Sequence, residues 1–218
     1  MEAPHSSLSY MMGVVKRRFA KNRGHYYVRD DVPQFETLAR DLRKGKKPFM
    51  LLATAFALKG FLDFLREKKV KIVGHRLSRL VETGGFKGKT NEITKEALYK
   101  ECEKYLGVPN DFCISEYGMT ELSSQCYRKN VFCGPAWMRT VVIDPKTGKE
   151  AAKGKTGLLR HFDLANRGSV LAIQTEDLGR AVGEGFEFLG RSLGSELRGC
   201  SLSYEEFLNP SNEANWRG

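Results

Sequence analysis

Ser115-Glu116-Tyr117-Gly118-Met119-Thr120-Glu121 is the stretch on which the fold turns. Phe112, Cys113 and Ile114 lead into it, so a short buried strand empties into a loop. α/β folds place ligand chemistry on loops held at the ends of buried strands. Within five positions, Tyr117 to Glu121, this loop gathers an aromatic, a glycine, a hydroxyl and a carboxylate. An aromatic face stacks on a base, and a glycine lets backbone approach a ligand closely. A threonine bonds a phosphate oxygen, and a carboxylate holds Mg²⁺. The same residues also suit an ordinary strand-end turn.

Upstream, short apolar runs alternate with segments of helical period. Residues 7–19 carry Leu8, Met11, Met12, Val15 and Phe19 at helical spacing. Tyr26-Tyr27-Val28 reads as a short strand, and Pro33 opens a helix through about Leu42. Pro48-Phe49-Met50-Leu51-Leu52 reads as a buried strand with Thr54 at its end, followed by a helix over 56–65. A strand over 77–81 and a helix over 93–106, capped by Gly107, complete the series. Strand, helix, strand, helix, strand is the order of a parallel sheet covered by helices.

Downstream of Gly134-Pro135 the composition changes to short β-branched runs joined by turns. Thr140-Val141-Val142-Ile143 is followed by Asp144-Pro145-Lys146-Thr147-Gly148, whose residues match turn chemistry. Further strands read at 157–160, 170–173 and 186–189. The expected organisation is therefore α/β over 1–135, a small antiparallel β subdomain over 136–190, and a short C-terminal tail over 191–218.

The chain has 218 residues, of which 41% are hydrophobic and 28% charged, enough for a real core under a polar surface. No run has the length of a membrane span. The five cysteines are an odd number without a CxxC pair, which argues for a reducing, cytoplasmic compartment and against a disulfide framework or zinc ribbon. The net charge of +10 comes from short clusters such as Lys16-Arg17-Arg18 and Lys68-Lys69, none interleaved with aromatics. That pattern disfavours nucleic acid and suits anionic substrates such as nucleotides and fatty carboxylates.

Four further pieces carry chemistry-bearing residues. Gly84-Gly85 ends a strand and leaves bare backbone against which a flat ring can lie; as local structure it is a tight turn. Thr175-Glu176-Asp177 places a carboxylate between two β segments, where it can accept two ribose hydroxyls or form an Asx turn. Gly190-Arg191 is a cation at a strand end. Arg198-Gly199-Cys200 sets positive charge beside a thiol, which raises its thiolate fraction; the alternative is a small core cysteine.

In order and spacing, Glu82-Thr83-Gly84-Gly85, Tyr117-Gly118-Met119-Thr120-Glu121, Thr175-Glu176-Asp177, Gly190-Arg191 and Arg198-Gly199-Cys200 resemble the adenylate-forming (acyl-CoA synthetase and luciferase) superfamily. The likeness is to its acyl-protein synthetase branch, the synthetase component of the bacterial bioluminescence fatty acid reductase. The resemblance implies ATP-dependent activation of a fatty acid to acyl-AMP, with ATP and Mg²⁺ as cofactors. It then implies acyl transfer to Cys200 and onward to an acyl-CoA-reductase-type protein partner. In that likeness Gly84 and Gly85 wall the adenine and Tyr117 and Gly118 receive it. Asp177 holds the ribose, Arg191 lies near ribose and phosphate, Thr120 faces the α-phosphate, and Glu121 binds Mg²⁺. No Ser/Thr/Gly-rich phosphate loop precedes these motifs. Gly84-Gly85-Phe86-Lys87-Gly88-Lys89-Thr90 lacks the Gly-x₄-Gly-Lys spacing of a nucleoside-triphosphatase loop. The expected chain is thus the C-terminal part of an adenylate-forming large domain, truncated at its N-terminus, with a short lid remnant. A phenylacetate-CoA-ligase-like enzyme, or an inactive fragment of either, is the alternative.

Overall fold

The computed structural model describes residues 7–21, 23–29, 32–45, 47–84, 93–128 and 130–192. Gly85 and Cys200 lie outside these residues. The chain divides into two compact units. Among the described residues, the first takes 7–80 and 93–112 and the second takes 81–84 and 113–192.

The first unit opens with helix α1 (Ser7–Phe19), then the small antiparallel pair β1 (Val28–Arg29) and β2 (Val32–Pro33). Helix α2 (Phe35–Lys44), strand β3 (Met50–Thr54) and helix α3 (Ala55–Glu67) follow. Strand β4 (Arg79–Thr83) begins in this unit, where the Arg79 N–H donates to the Phe49 carbonyl at 2.9 Å. Helix α4 (Lys95–Leu106) completes it. Thr54 ends β3 and also caps α3, its hydroxyl accepting the Ala57 N–H at 3.1 Å. Thr94 caps α4 in the same way, and Gly107 closes that helix at φ 63°. Leu58, Phe61, Leu62 and Leu65 of α3, with Leu98, Cys102 and Leu106 of α4, are buried. These are the helical-period residues, so amphipathic patterning builds this core.

The second unit is mostly sheet. After β4 come β5 (Cys113–Tyr117), β6 (Cys126–Arg128), β7 (Phe132–Cys133), β8 (Met138–Ile143), β9 (Thr156–Asp163), β10 (Ala172–Val182) and β11 (Gly185–Arg191). Their spatial order is β4-β5-β6-β7-β11-β10-β9-β8. Every pairing from β5 onward is antiparallel. The α/β class and the antiparallel sheet expected from the sequence are both present. The turn after β8 is closed by Asp144, whose carboxylate accepts the Lys146 N–H at 2.8 Å, with Gly148 at φ 69°. Among the described residues no helix is long and apolar enough to cross a membrane.

Tyr117, Cys126, Phe132, Val142, Leu159 and Phe186 form the core of this unit. Phe186, 2% exposed, stacks on Phe132 at 5.5 Å and meets Tyr117 edge-on at 5.3 Å. Replacing Phe186 by Ala removes both contacts and is expected to lower unfolding free energy by about 3–5 kcal/mol, read from urea midpoints. A loss under about 1 kcal/mol would place the core elsewhere.

Candidate functional site

Strand β9 alternates buried positions with half-buried ones after exposed Thr156, and Gly157, Leu159, His161 and Asp163 all face inward. The last two are polar, and each is 0% exposed. A buried polar group is costly unless bonded, so their partners define what the strand holds. Both reach the segment that begins at Tyr117.

His161 meets that segment at its start. Its Nε2 lies 3.1 Å from the Tyr117 hydroxyl, and its Nδ1 lies 2.9 Å from the Thr140 hydroxyl. The Tyr117 hydroxyl donates to Asp177 Oδ2 at 2.7 Å, and Arg191 Nε donates to Asp177 Oδ1 at 3.1 Å. Tyr117 is 8% exposed, with Phe132, His161, Phe186 and Phe188 around its ring. Burial first, then the Asp177 charge and the hydrogen bond to it, raise the phenol far above its usual range, so it stays protonated. Burial pushes the His161 imidazole down to about 4, against the opposing pull of Asp177 and Asp163. The ring is therefore neutral at pH 7.

Asp163 meets the segment at its end. Its carboxylate accepts the backbone N–H groups of Ser123 at 3.0 Å and Ser124 at 2.8 Å, and the Ser124 hydroxyl at 2.9 Å. The Ala165 N–H adds a bond at 3.0 Å. Next to it, Asn166 donates to the Glu121 carbonyl at 2.7 Å and accepts the Ser123 hydroxyl at 2.6 Å. Trp137 Nε1 donates to the Ser124 hydroxyl at 2.9 Å. The loop that carries exposed Thr120 and Glu121 is thus anchored on both sides. Gly118 starts it because a Cβ there would stand 2.5 Å from the Glu116 carboxylate. That carboxylate also accepts the Thr83 hydroxyl.

Asp177 owes its position to irregular pairing. Gln174 faces Arg160 and Leu178 faces Leu158, so β10 carries two extra residues over that interval. The Thr175 hydroxyl stitches the bulge, donating to the Leu159 carbonyl at 2.8 Å and accepting the Asp177 N–H at 3.1 Å. On the other side Leu189 is skipped between Phe188 and Gly190, with Gly190 at φ 112°, and Asp177 falls opposite Arg191.

The structure therefore gathers Tyr117, Asp177 and Arg191 through direct bonds, with Gly118, Thr120 and Glu121 on the loop that leaves Tyr117. Gly84 sits exposed at φ 80° just past β4. Gly85 and Cys200 are outside the described residues. Sequence reasoning missed Thr140, His161, Asp163 and Asn166. The signal for His161 and Asp163 is two polar residues at inward positions of an alternating strand, visible only once its register is known. Cys126, buried and bordering Glu116, has its thiol pushed up to about 12 and is no nucleophile at neutral pH. Beside the loop opens a depression of about 420 Å³, lined by Ser123, Ser124, Tyr127, Cys133, Pro135 and Trp137 among others.

Comparison with solved structures places this architecture. A long-chain-fatty-acid-CoA ligase from Archaeoglobus fulgidus superposes with a TM-score of 0.53 at 18% identity, covering 83% of this chain and 40% of that one. A 2-hydroxyisobutyryl-CoA ligase in complex with 2-HIB-AMP and CoA gives 0.56 at 16%, covering 76% and 41%. ATP-bound MatB from Rhodopseudomonas palustris gives 0.50 at 15%, covering 72% and 33%. The chain has the fold of adenylate-forming acyl-CoA ligases. In sequence it is similar to the long-chain-fatty-acid–luciferin-component ligase of Aliivibrio fischeri, 23% identical over 180 residues. That match covers 78% of this chain and 46% of the ligase, so the chain spans about half the length of the curated relative it matches. No family model matches.

Two outcomes follow from this geometry. Asp163→Asn keeps one acceptor oxygen and sets an NH₂ against either the Ser123 and Ser124 N–H groups or the Ala165 N–H, and should cost about 2–4 kcal/mol while speeding amide exchange among Ser123, Ser124 and Ala165. Unchanged exchange there would show that the loop is held otherwise. His161 is depressed in the folded chain relative to the ordinary 6.5, so between pH 6.5 and about 4 only the unfolded chain takes up its proton. Its stabilising effect is complete above pH 6.5 and shrinks as pH falls to about 4, by on the order of 3 kcal/mol. Urea unfolding across that range should show a shallower pH slope for His161→Gln than for wild type; parallel slopes would refute it.

Proposed function

We propose that this chain forms the nucleotide-gripping part of an ATP-dependent ligase that activates a long-chain fatty acid as acyl-AMP. The carrying observation is the bulge-mounted Asp177, bonded by Tyr117 and Arg191 at the mouth of an anchored loop, in an adenylate-forming ligase fold. Asp177 keeps lone pairs for two ribose hydroxyls. Gly118 borders the adenine, with Gly84 on its other side; the Tyr117 ring, buried among Phe132, His161, Phe186 and Phe188, acts through its hydroxyl and not by stacking. Arg191 lies toward the ribose and phosphate.

The donor set suits a nucleotide-borne Mg²⁺. Among the described residues no group of three or more His, Cys, Asp or Glu side chains forms a metal cage. Mg²⁺ commonly takes one or two carboxylates and completes its octahedron with phosphates and water. Exposed Glu121, on a loop fixed by Asn166, fits that role. When bound, the ion would offset charge building on the phosphate oxygens. Thr120 donates its hydroxyl to an α-phosphate oxygen, and the apolar depression by Trp137 receives the acyl chain.

In this reading a fatty carboxylate oxygen attacks the α-phosphorus, the bond to the β-phosphate bridging oxygen breaks, and pyrophosphate leaves. The Cys200 thiolate then attacks the acyl carbon of the mixed anhydride and AMP leaves. The thioester passes to a reductase-type partner protein.

Calorimetric titration with AMP tests the grip: Asp177→Ala should bind at least about tenfold more weakly than wild type. Incubation with ATP, Mg²⁺ and labelled long-chain fatty acid, with and without a chain bearing the phosphate loop, tests the chemistry. Label on Cys200, absent in Cys200→Ser, supports the proposal. Cys200-independent formation of a CoA thioester would move the chain to the acyl-CoA ligases, and no AMP binding at all would sink the nucleotide reading.

A further inference from the structure

The Tyr117 hydroxyl has one proton, and the 2.7 Å bond to Asp177 Oδ2 uses it. The contact with His161 Nε2 at 3.1 Å must then be a bond that Tyr117 accepts. That places the imidazole proton on Nε2 and leaves Nδ1 bare, so the Thr140 hydroxyl at 2.9 Å donates to it. Protons therefore point one way, from Thr140 to His161 to Tyr117 to Asp177, while Arg191 closes the chain from the opposite side.

We infer that His161 is a positioning residue for the nucleotide, acting through the Tyr117 hydroxyl to hold Asp177 in the orientation that receives a ribose. This rests on the nucleotide reading given above. The opposite tautomer would present a bare Nε2 to Tyr117 and compete with Asp177 for the phenol proton. The Thr140 hydroxyl can donate or accept, so it follows the tautomer that the Tyr117–Asp177 bond sets and keeps the buried Nδ1 bonded in it. Packing alone does not call for an imidazole here. The ring lies against Phe186 at 5.9 Å and Tyr117 at 5.4 Å, and an apolar side chain would fill that space without the desolvation cost. What the imidazole adds is direction. A carboxylate fixed before the ligand arrives spends no binding energy on ordering.

The test is calorimetric titration of the 218-residue chain with AMP at pH 7.5, with circular dichroism and urea unfolding as fold checks on each variant. His161→Leu should weaken AMP by about tenfold. His161→Gln, whose side-chain N–H can stand where Nε2–H stood, should recover most of that loss. His161→Leu combined with Tyr117→Phe should bind no more weakly than Tyr117→Phe alone, because both cut one chain of bonds. Thr140→Val, which leaves the buried Nδ1 without its partner and loosens the ring, should weaken AMP a few-fold and serves if His161→Leu does not fold. Wild-type affinity in His161→Leu, no recovery in His161→Gln, an additive double variant or an unaffected Thr140→Val would each overturn the inference alone. Absence of AMP binding by wild type would overturn the nucleotide reading and the role of His161 with it.

Discussion

A carboxylate that is 8% exposed survives only among compensating partners, and Asp177 has two of opposite kind. Arg191 supplies charge from the neighbouring strand, and Tyr117 supplies a neutral donor from across the core. Much of the second unit follows from keeping those groups together. The bulge in β10 turns Asp177 toward them, the skipped Leu189 aligns Arg191, and the aromatic cluster of Phe132, Phe186 and Phe188 fixes the Tyr117 ring. The fold and the candidate site share one set of contacts, so core substitutions near Tyr117 act on both.

Strand β9 is the template for the loop. Two inward residues, spaced by the pleat, hold the chain on either side of Thr120 and Glu121. His161 works with a neutral ring and Asp163 with a charge satisfied by backbone donors. A loop held in this way has a bonded backbone beneath its exposed side chains. Preorganisation of that kind is what the proposed nucleotide site would require of this loop.

Much of this is legible in the sequence, and the rest fails for identifiable reasons. Helices α3 and α4 announce themselves by period and by Thr and Gly caps, which are local signals. The turn at Asp144 is legible for the same reason. The Tyr117–Glu121 loop stands out by composition. Strands β6 and β7 are two or three residues long and carry no period to detect. Thr54 reads as the last residue of a strand but also serves as a helix cap, a role that appears only when the next turn forms. His161, Asp163 and Asn166 are invisible because their meaning is non-local: each is a polar residue whose partner sits about forty positions away, between 39 and 45 for the bonds to the loop. Register, not residue type, turns them into anchors, and register is a tertiary property.

The stitched bulge in β10 also acts as a ratchet. A regular ribbon can slide past its neighbour in two-residue steps and keep the same side chains inward. Here the extra residues on β10 and the skipped residue on β11 must stay in phase, because Thr175 is sewn to β9 while Asp177 grips β11. Gaining or losing one residue between Gln174 and Leu178, or between Phe188 and Gly190, would throw the two edges out of step, so these intervals should resist insertions and deletions that surface turns such as 144–149 absorb.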